Sequence, residues 1–240
     1  MVRAAARALA LAVGLVATPL AAAECRLALV LALDVSSSVD PQEDALQRGG
    51  LAAALISPPV ERAIFATPLP VALAAYEWSG RYNQQVLADW RMIRSRRDLL
   101  EMAEMLGRSE RSHNAFPTAM GYALGFGAGL LARGPDCLFR TLDMAGDGEN
   151  NEGFAPAAAY AEFPFAGVTV NGLVVSAPDD GAEIDLVAWY RDHVLHGPGA
   201  FLEVAQGFGD YERAMRRKLL RELRPRAVGA LPRPAPGRPG

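Results

Sequence analysis

The sequence predicts an α/β protein with a doubly wound, mostly parallel sheet of six strands and with helices on both faces. Two observations indicate this class. Short apolar runs rich in β-branched and aromatic residues alternate along the chain with longer segments of helical periodicity, and such alternation is typical of βαβ units. The first run, "RLALVLAL" at residues 26–33, is continuously apolar, as expected of a central strand that is buried on both faces.

Six segments fit strands and six fit helices. The predicted strands are residues 26–33, 71–78, 85–93, 138–144, 168–175 and 201–205. The predicted helices are residues 41–56, 96–110, 119–132, 155–163, 183–195 and 210–223. One connection breaks the alternation, because the turn "SGRYN" at residues 79–83 is too short for a helix. Parallel neighbours need a long crossover, so the second and third strands are predicted to form an antiparallel hairpin at or near an edge of the sheet.

The first 23 residues have the pattern of a secretory signal peptide. Arg3 and Arg7 precede a short apolar run, and three alanines at residues 21–23 provide a cleavage site after Ala23. The apolar run is short for an uncleaved membrane anchor. A lipid-bearing Cys25 is disfavoured because Glu24 stands where a small residue is needed. We therefore expect an exported protein, periplasmic or secreted, with no stable membrane insertion after cleavage.

The other end of the chain and its charge set further limits. Residues 225–240 are rich in Pro, Gly and Arg and have no periodicity, which predicts a disordered tail and leaves a single domain at residues 24–224. The formal net charge of −3 gives no indication of a nucleic-acid partner. In an oxidising compartment, Cys25 and Cys137 are expected to form a disulfide if their geometry allows it; two buried free thiols are the alternative.

A cluster of oxygen-bearing side chains, "DVSSSVD" at residues 34–40, follows the first strand. Asp40, Pro41 and Glu43 have the pattern of a helix start, with Asp40 as the N-cap. Asp34, at the beginning of the cluster, has no such structural role. Neither do the first and the last of the three serines. The cluster therefore needs another explanation.

Alternating carboxylate and hydroxyl groups make an oxygen-only set that suits Mg²⁺ or a similar ion. Asp34, Ser36 and Ser38 form the first part of this set. Thr118 lies in the loop before a predicted helix, and Asp147 follows the fourth strand. Ligands of open α/β sheets bind at the carboxyl ends of the strands, where these loops meet.

These residues resemble the metal-ion-dependent adhesion site of a von Willebrand factor type A (vWA) domain. The resemblance covers about residues 26–223 and implies a Rossmann-like sheet of order 3-2-1-4-5-6, with the third strand antiparallel at the edge. It also implies that the metal ligands are Asp34, Ser36, Ser38, Thr118 and Asp147. The segments "LALDVSSSVDPQE", "AAYEWSG", "VLADWRMI" and "GDGENN" further resemble a group of exported bacterial vWA-like proteins classed as a domain of unknown function.

The implied strand order also bears on the cysteines. If the first and fourth strands are parallel neighbours, Cys25 and Cys137 both lie at the amino-terminal edge of the sheet, nine residues before Asp34 and ten before Asp147. A disulfide between them is then within reach. Its role would be stability, because it lies opposite the predicted metal site.

The function that this reading predicts is binding rather than catalysis. A divalent cation, Mg²⁺ foremost with Mn²⁺ and Ca²⁺ as alternatives, would keep one coordination position open for a carboxylate of a protein partner. Two alternatives stay open. A phosphoryl-transfer hydrolase would use Asp34 as nucleophile, but Ser36 stands where such enzymes need a second Asp as general acid. The other alternative is a scaffold whose metal site is vestigial.

Overall fold

The computed structural model describes residues 23–176 and 185–225, and these residues form one six-stranded sheet covered by helices on both faces. The strands are β1 (Cys25–Asp34), β2 (Val71–Trp78), β3 (Gln84–Ile93), β4 (Cys137–Gly146), β5 (Val168–Val175) and β6 (Leu202–Ala205). The helices are α1 (Pro41–Leu55), α2 (Pro58–Ile64), α3 (Arg96–Gly107), α4 (Met120–Ala132), α5 (Pro156–Glu162), α6 (Leu186–His193) and α7 (Tyr211–Glu222). A single 3₁₀ turn, Phe208–Asp210, precedes α7.

The strand order β3-β2-β1-β4-β5-β6 confirms the predicted fold class. All neighbouring strands are parallel except β3, which pairs antiparallel with β2 at the edge, as the short turn between them predicts. The predicted signal peptide and the predicted tail after Pro225 lie outside the described residues. Within the part of the chain that the structure describes, no helix has both the length and the apolar character needed to cross a membrane.

Helix α2 is a difference from the sequence prediction. No element is predicted between residues 56 and 71, where two consecutive prolines, Pro58 and Pro59, follow α1. They occupy the first turn of α2, where proline is tolerated because its missing N–H would have no intrahelical partner there. The side chains of Val60 and Ile64 are buried and form the inner side of this short helix.

Strand β1 is the centre of the core, and all ten of its residues are buried. Its side chains alternate between the two faces of the sheet. Leu29, Leu31 and their neighbours on that face pack in one cluster with residues of α1, α3 and α7. Val30 and the alanines beside it pack in a second cluster with residues of α4 and with Tyr190 of α6. The continuous apolar run therefore reflects burial on both faces.

The first and fourth strands are parallel neighbours, and Cys25 lies directly opposite Cys137. The two cysteines are joined by a disulfide bond, with their Cα atoms 4.5 Å apart, and both side chains are buried. The bond ties β1 to β4 at the amino-terminal edge of the sheet. It therefore lies at the opposite edge from Asp34, where β1 ends.

The single lysine of the chain, Lys218 on α7, is completely buried. Its Nζ lies 2.6 Å from Oδ1 of Asp143 on β4 and 2.7 Å from Oε1 of Glu222. Asn171 on β5 donates to the same Glu222 oxygen at 2.8 Å. Because each buried charge has an opposite charge beside it, the cluster fixes the position of α7 over β4 and β5.

Replacing Lys218 by Met should therefore strongly destabilise the domain. The substitution leaves Asp143 and Glu222 buried without their cation, and we expect it to lower the free energy of unfolding by about 3–5 kcal/mol. The control is Arg216→Met on the same helix, which removes a half-exposed ion pair with Glu212 and should cost less than about 1 kcal/mol. Denaturant titration of both variants checks this, and equal losses would contradict the assigned role of Lys218.

Candidate metal centre

Local hydrogen bonds bend the loop between β1 and α1. The Ser36 N–H donates to Oδ1 of Asp34 at 2.8 Å, and the Val39 N–H donates to the Ser36 carbonyl at 3.0 Å. These bonds curl the chain immediately after the strand. As a result the side chains of the loop gather at the carboxyl edge of the sheet rather than continuing along it.

The loop ends in the helix start that the sequence indicates. Oδ1 of Asp40 accepts the N–H groups of Gln42 and Glu43 at 2.7 and 2.8 Å, and Glu43 Oε2 accepts the Asp40 N–H at 2.8 Å. This capping box occupies Asp40 with the start of α1. The remaining oxygen-bearing side chains of the loop are not needed for capping.

Residues from the first and fourth strands meet at this edge. The hydroxyl oxygens of Ser36 and Ser38 are 3.1 Å apart, and the Ser38 hydroxyl donates to Oδ1 of Asp147 at 2.8 Å. Gly146 lies directly against Asp34, because a Cβ at Gly146 would be 2.8 Å from Oδ2 of Asp34. The two carboxylates and two hydroxyls that the sequence singled out are therefore close together.

Thr118 reaches the same place from the loop before α4. A Cβ at Gly148 would lie 3.3 Å from its hydroxyl oxygen. Its backbone is held by the loop after β4, since Asn151 Oδ1 accepts the Thr118 N–H at 2.9 Å and the Asn151 N–H donates back to the Thr118 carbonyl at 3.0 Å. Asn151 therefore positions a member of the site.

The electrostatics of the site fit a cation. Asp34 is fully buried, and its Oδ2 has no hydrogen-bond partner. Burial, and next the charge of Asp147, raise the pKa of Asp34 to about 8. Burial is also the main reason why the pKa of Asp147 is raised. A buried carboxylate oxygen without a partner, beside a second carboxylate and three hydroxyls, is the donor chemistry that a hard divalent cation would satisfy.

The site contains only two carboxylates. Across residues 23–176 and 185–225, no three His, Cys, Asp or Glu side chains form a group that could hold a metal ion. A metal at the loop cluster would therefore depend on the hydroxyls of Ser36, Ser38 and Thr118 for most of its protein ligands. These neutral ligands add no negative charge, so the two carboxylates at most balance the charge of a divalent cation.

Two residues of the site were not predicted. The guanidinium of Arg111, in the segment after α3, donates to backbone carbonyls of the β1–α1 loop. The hydroxyl of Tyr190 on α6 is buried without a partner, and it lies beside Gly146, whose added Cβ would be 2.6 Å away from it. Neither residue belongs to a motif, and both come from distant parts of the chain, so only the fold reveals them.

Comparison with family models matches residues 24–227, nearly all of the described domain, to a family described as "Protein of unknown function (DUF1194)". The chain belongs to this family. Comparison with curated protein sequences finds no match.

Solved structures confirm that the fold is that of vWA domains. A von Willebrand factor type A protein from Catenulispora acidiphila has a TM-score of 0.59 at 14% identity, covering 83% of this chain and 43% of that one. Proximal thread matrix protein 1 from the mussel byssus, solved with a zinc-occupied adhesion-site motif, has a TM-score of 0.56 at 14% identity, covering 84% and 49%. The pilus adhesin SpaC from Lactobacillus rhamnosus GG has a TM-score of 0.57 at 10% identity, covering 83% and 30%. The chain thus spans less than half the length of each of these proteins.

The raised pKa of Asp34 predicts that metal binding depends on pH. Below about pH 8 the carboxyl of Asp34 is mainly protonated without metal, so a bound cation must displace that proton. We expect the affinity for Mn²⁺ to rise about tenfold per pH unit between about pH 6 and pH 8 and then to level off. Calorimetry in two buffers of different ionisation enthalpy measures the proton release directly. An affinity that stays constant over this pH range would contradict the assignment of Asp34 as a ligand.

Proposed function

We propose that this protein is an exported, metal-dependent protein-binding module that recognises an acidic group of its partner through a divalent cation. The observation that supports this best is the convergence of Asp34, Ser36, Ser38, Thr118 and Asp147 at the carboxyl edge of the sheet, with one carboxylate oxygen of Asp34 buried and unpartnered. Mg²⁺ is the ion that we favour, with Mn²⁺ and Ca²⁺ as alternatives.

The side chains that would hold the metal favour an anionic group of the partner at the open coordination position. Mg²⁺ prefers six oxygen ligands, so five side chains leave one position for a group from outside the chain. Two carboxylates at most balance the charge of the ion, and the other three side chains of the set are neutral. When bound, the cation supplies a positive centre at the surface of an otherwise acidic protein. A carboxylate of a protein partner is the group that fits it.

The related structures give this proposal its context. The mussel protein carries zinc in its adhesion-site motif, and SpaC is a pilus adhesin. At their low sequence identity these proteins support the fold alone, and the metal and partner of this chain are inferred from its own side chains. The chain is also proposed not to be an enzyme, because Ser36 occupies the place where a phosphoryl-transfer mechanism on Asp34 needs a general acid.

Export is proposed on two features. The first 23 residues have the order of a signal peptide. The cysteines at the amino-terminal edge are joined in a disulfide, which persists in oxidising compartments such as the periplasm or the cell exterior. Mass analysis of the exported protein should find a chain that begins at or near Glu24.

The metal site is tested by Asp34→Ala. This change removes a ligand and also a buried carboxylate oxygen that has no partner, so the variant should lose Mg²⁺ and Mn²⁺ binding while still folding. Titration calorimetry with each metal, at about pH 8 where about half of the Asp34 carboxyl groups are ionised, gives the affinities. Circular dichroism verifies the fold.

Asp40→Ala is the matched control, because it removes a carboxylate of the same loop that caps α1. It should cost about 1 kcal/mol of stability and leave metal binding largely intact. If wild type and Asp34→Ala bind metal alike, or if wild type binds none, the proposed function is wrong.

A further inference from the structure

We propose that Arg111 is a positioning residue of the metal centre, which holds the β1–α1 loop in its metal-binding shape through three backbone carbonyls. This inference rests on the proposed function and adds to it a residue outside the ligand set. Arg111 lies in the segment between α3 and α4, distant in sequence from the loop that it contacts.

The guanidinium makes one contact to each of three carbonyl oxygens of the loop. Nη2 donates to the carbonyls of Val35 at 2.8 Å and Ser36 at 2.7 Å, and Nη1 donates to the carbonyl of Val39 at 2.6 Å. These carbonyls flank the residues whose hydroxyls face the site. Because all three carbonyls accept from the same guanidinium, the orientation of their peptide groups is restricted.

The Arg111 segment is itself firmly anchored. The Ser112 N–H donates to Oε1 of Glu77 at 2.8 Å, and Arg48 donates to the Ser109 hydroxyl at 2.6 Å. Glu77 and Arg48 are buried and paired with each other, which links the carboxyl end of β2 to α1. The backbone that carries Arg111 is therefore itself held in place by hydrogen bonds to buried residues.

The loop is also held by neutral backbone hydrogen bonds. The Ser37 N–H donates to the Phe116 carbonyl at 2.8 Å, which holds the middle of the loop. Without the guanidinium, all three carbonyls would lose a charged donor, and only that of Ser36 is known to keep another, the Val39 N–H, so the loop would be held less firmly in this shape. A planar fork with several donors suits this arrangement, whereas a lysine ammonium is a single point on a flexible chain.

The expected consequence is a loss of metal affinity without loss of any ligand. Residues that orient metal ligands typically change affinity by about 10–100-fold when they are removed. We therefore expect Arg111→Met to raise the Kd for Mn²⁺ by about 10–100-fold, and Arg111→Lys to give an affinity between those of Arg111→Met and wild type because it keeps some carbonyl contacts.

The experiment is calorimetric titration of the full domain with Mn²⁺ alone, at about pH 8 and at a temperature where every variant is folded. Arg108→Met is the matched control, because Arg108, which follows α3 directly, is exposed and forms an ion pair with Glu104 of that helix. Ser57→Ala is a stability control, since it removes a buried hydrogen bond to the Ala54 carbonyl at the other end of α1. Both controls should keep the wild-type Kd, although Ser57→Ala lowers the unfolding temperature.

The outcomes separate this inference from the proposed function. If wild type binds Mn²⁺ and Arg111→Met binds it equally well or more tightly, Arg111 does not position the site, and its charge at most repels the ion. If Ser57→Ala weakens binding as much as Arg111→Met, the effect reflects general stability and the inference is wrong. If wild type binds no Mn²⁺, the proposed function fails, and this inference fails with it.

Discussion

The buried carboxylate of Asp34 is the constraint on which the carboxyl edge of this protein depends. It ends a strand that is apolar over its whole length and buried on both faces, so its charge is placed where water cannot reach it. Burial and the neighbouring Asp147 raise its pKa to about 8, which is a cost to the folded protein that local structure does not remove. A position that is unfavourable for stability and surrounded by hydroxyls is most simply explained by a function, and a divalent cation is the group that would satisfy it.

A disulfide bond and buried ion pairs hold the strands and helices at this edge in place. The disulfide joins β1 and β4 at the opposite edge, so the two strands that carry Asp34 and Asp147 are held in register. Buried charges fix the helices around them. Lys218 ties α7 to the sheet, and the pair of Arg48 and Glu77 ties α1 to β2 and to the segment that presents Arg111. Buried ion pairs, in addition to apolar packing, therefore hold in place the helices and strands from which the loops of the site extend.

The sequence predicted the architecture well because its signals were strong and local. The continuous apolar run of β1 indicated a central strand, and the short turn at residues 79–83 indicated the antiparallel edge, and the observed strand order confirms both. Helix α2 was missed because its two initial prolines look like a break. Arg111, Tyr190 and the orienting role of Asn151 were missed for a different reason. The first two come from distant parts of the chain, and Asn151, although it lies in the loop after β4, gives no sign in the sequence of the backbone groups that it contacts.

The central claim is that the oxygen atoms at the carboxyl edge hold a divalent cation. The most direct measurement is a crystal structure of the mature domain grown with Mn²⁺ at about pH 8, with diffraction data collected at the manganese absorption edge. The account predicts an anomalous peak in contact with the hydroxyls of Ser36 and Ser38 and with the carboxylate of Asp34, on the side of the sheet edge where Thr118 and Asp147 lie. Anomalous density only elsewhere, or none at all with the loop in the same shape, would contradict it.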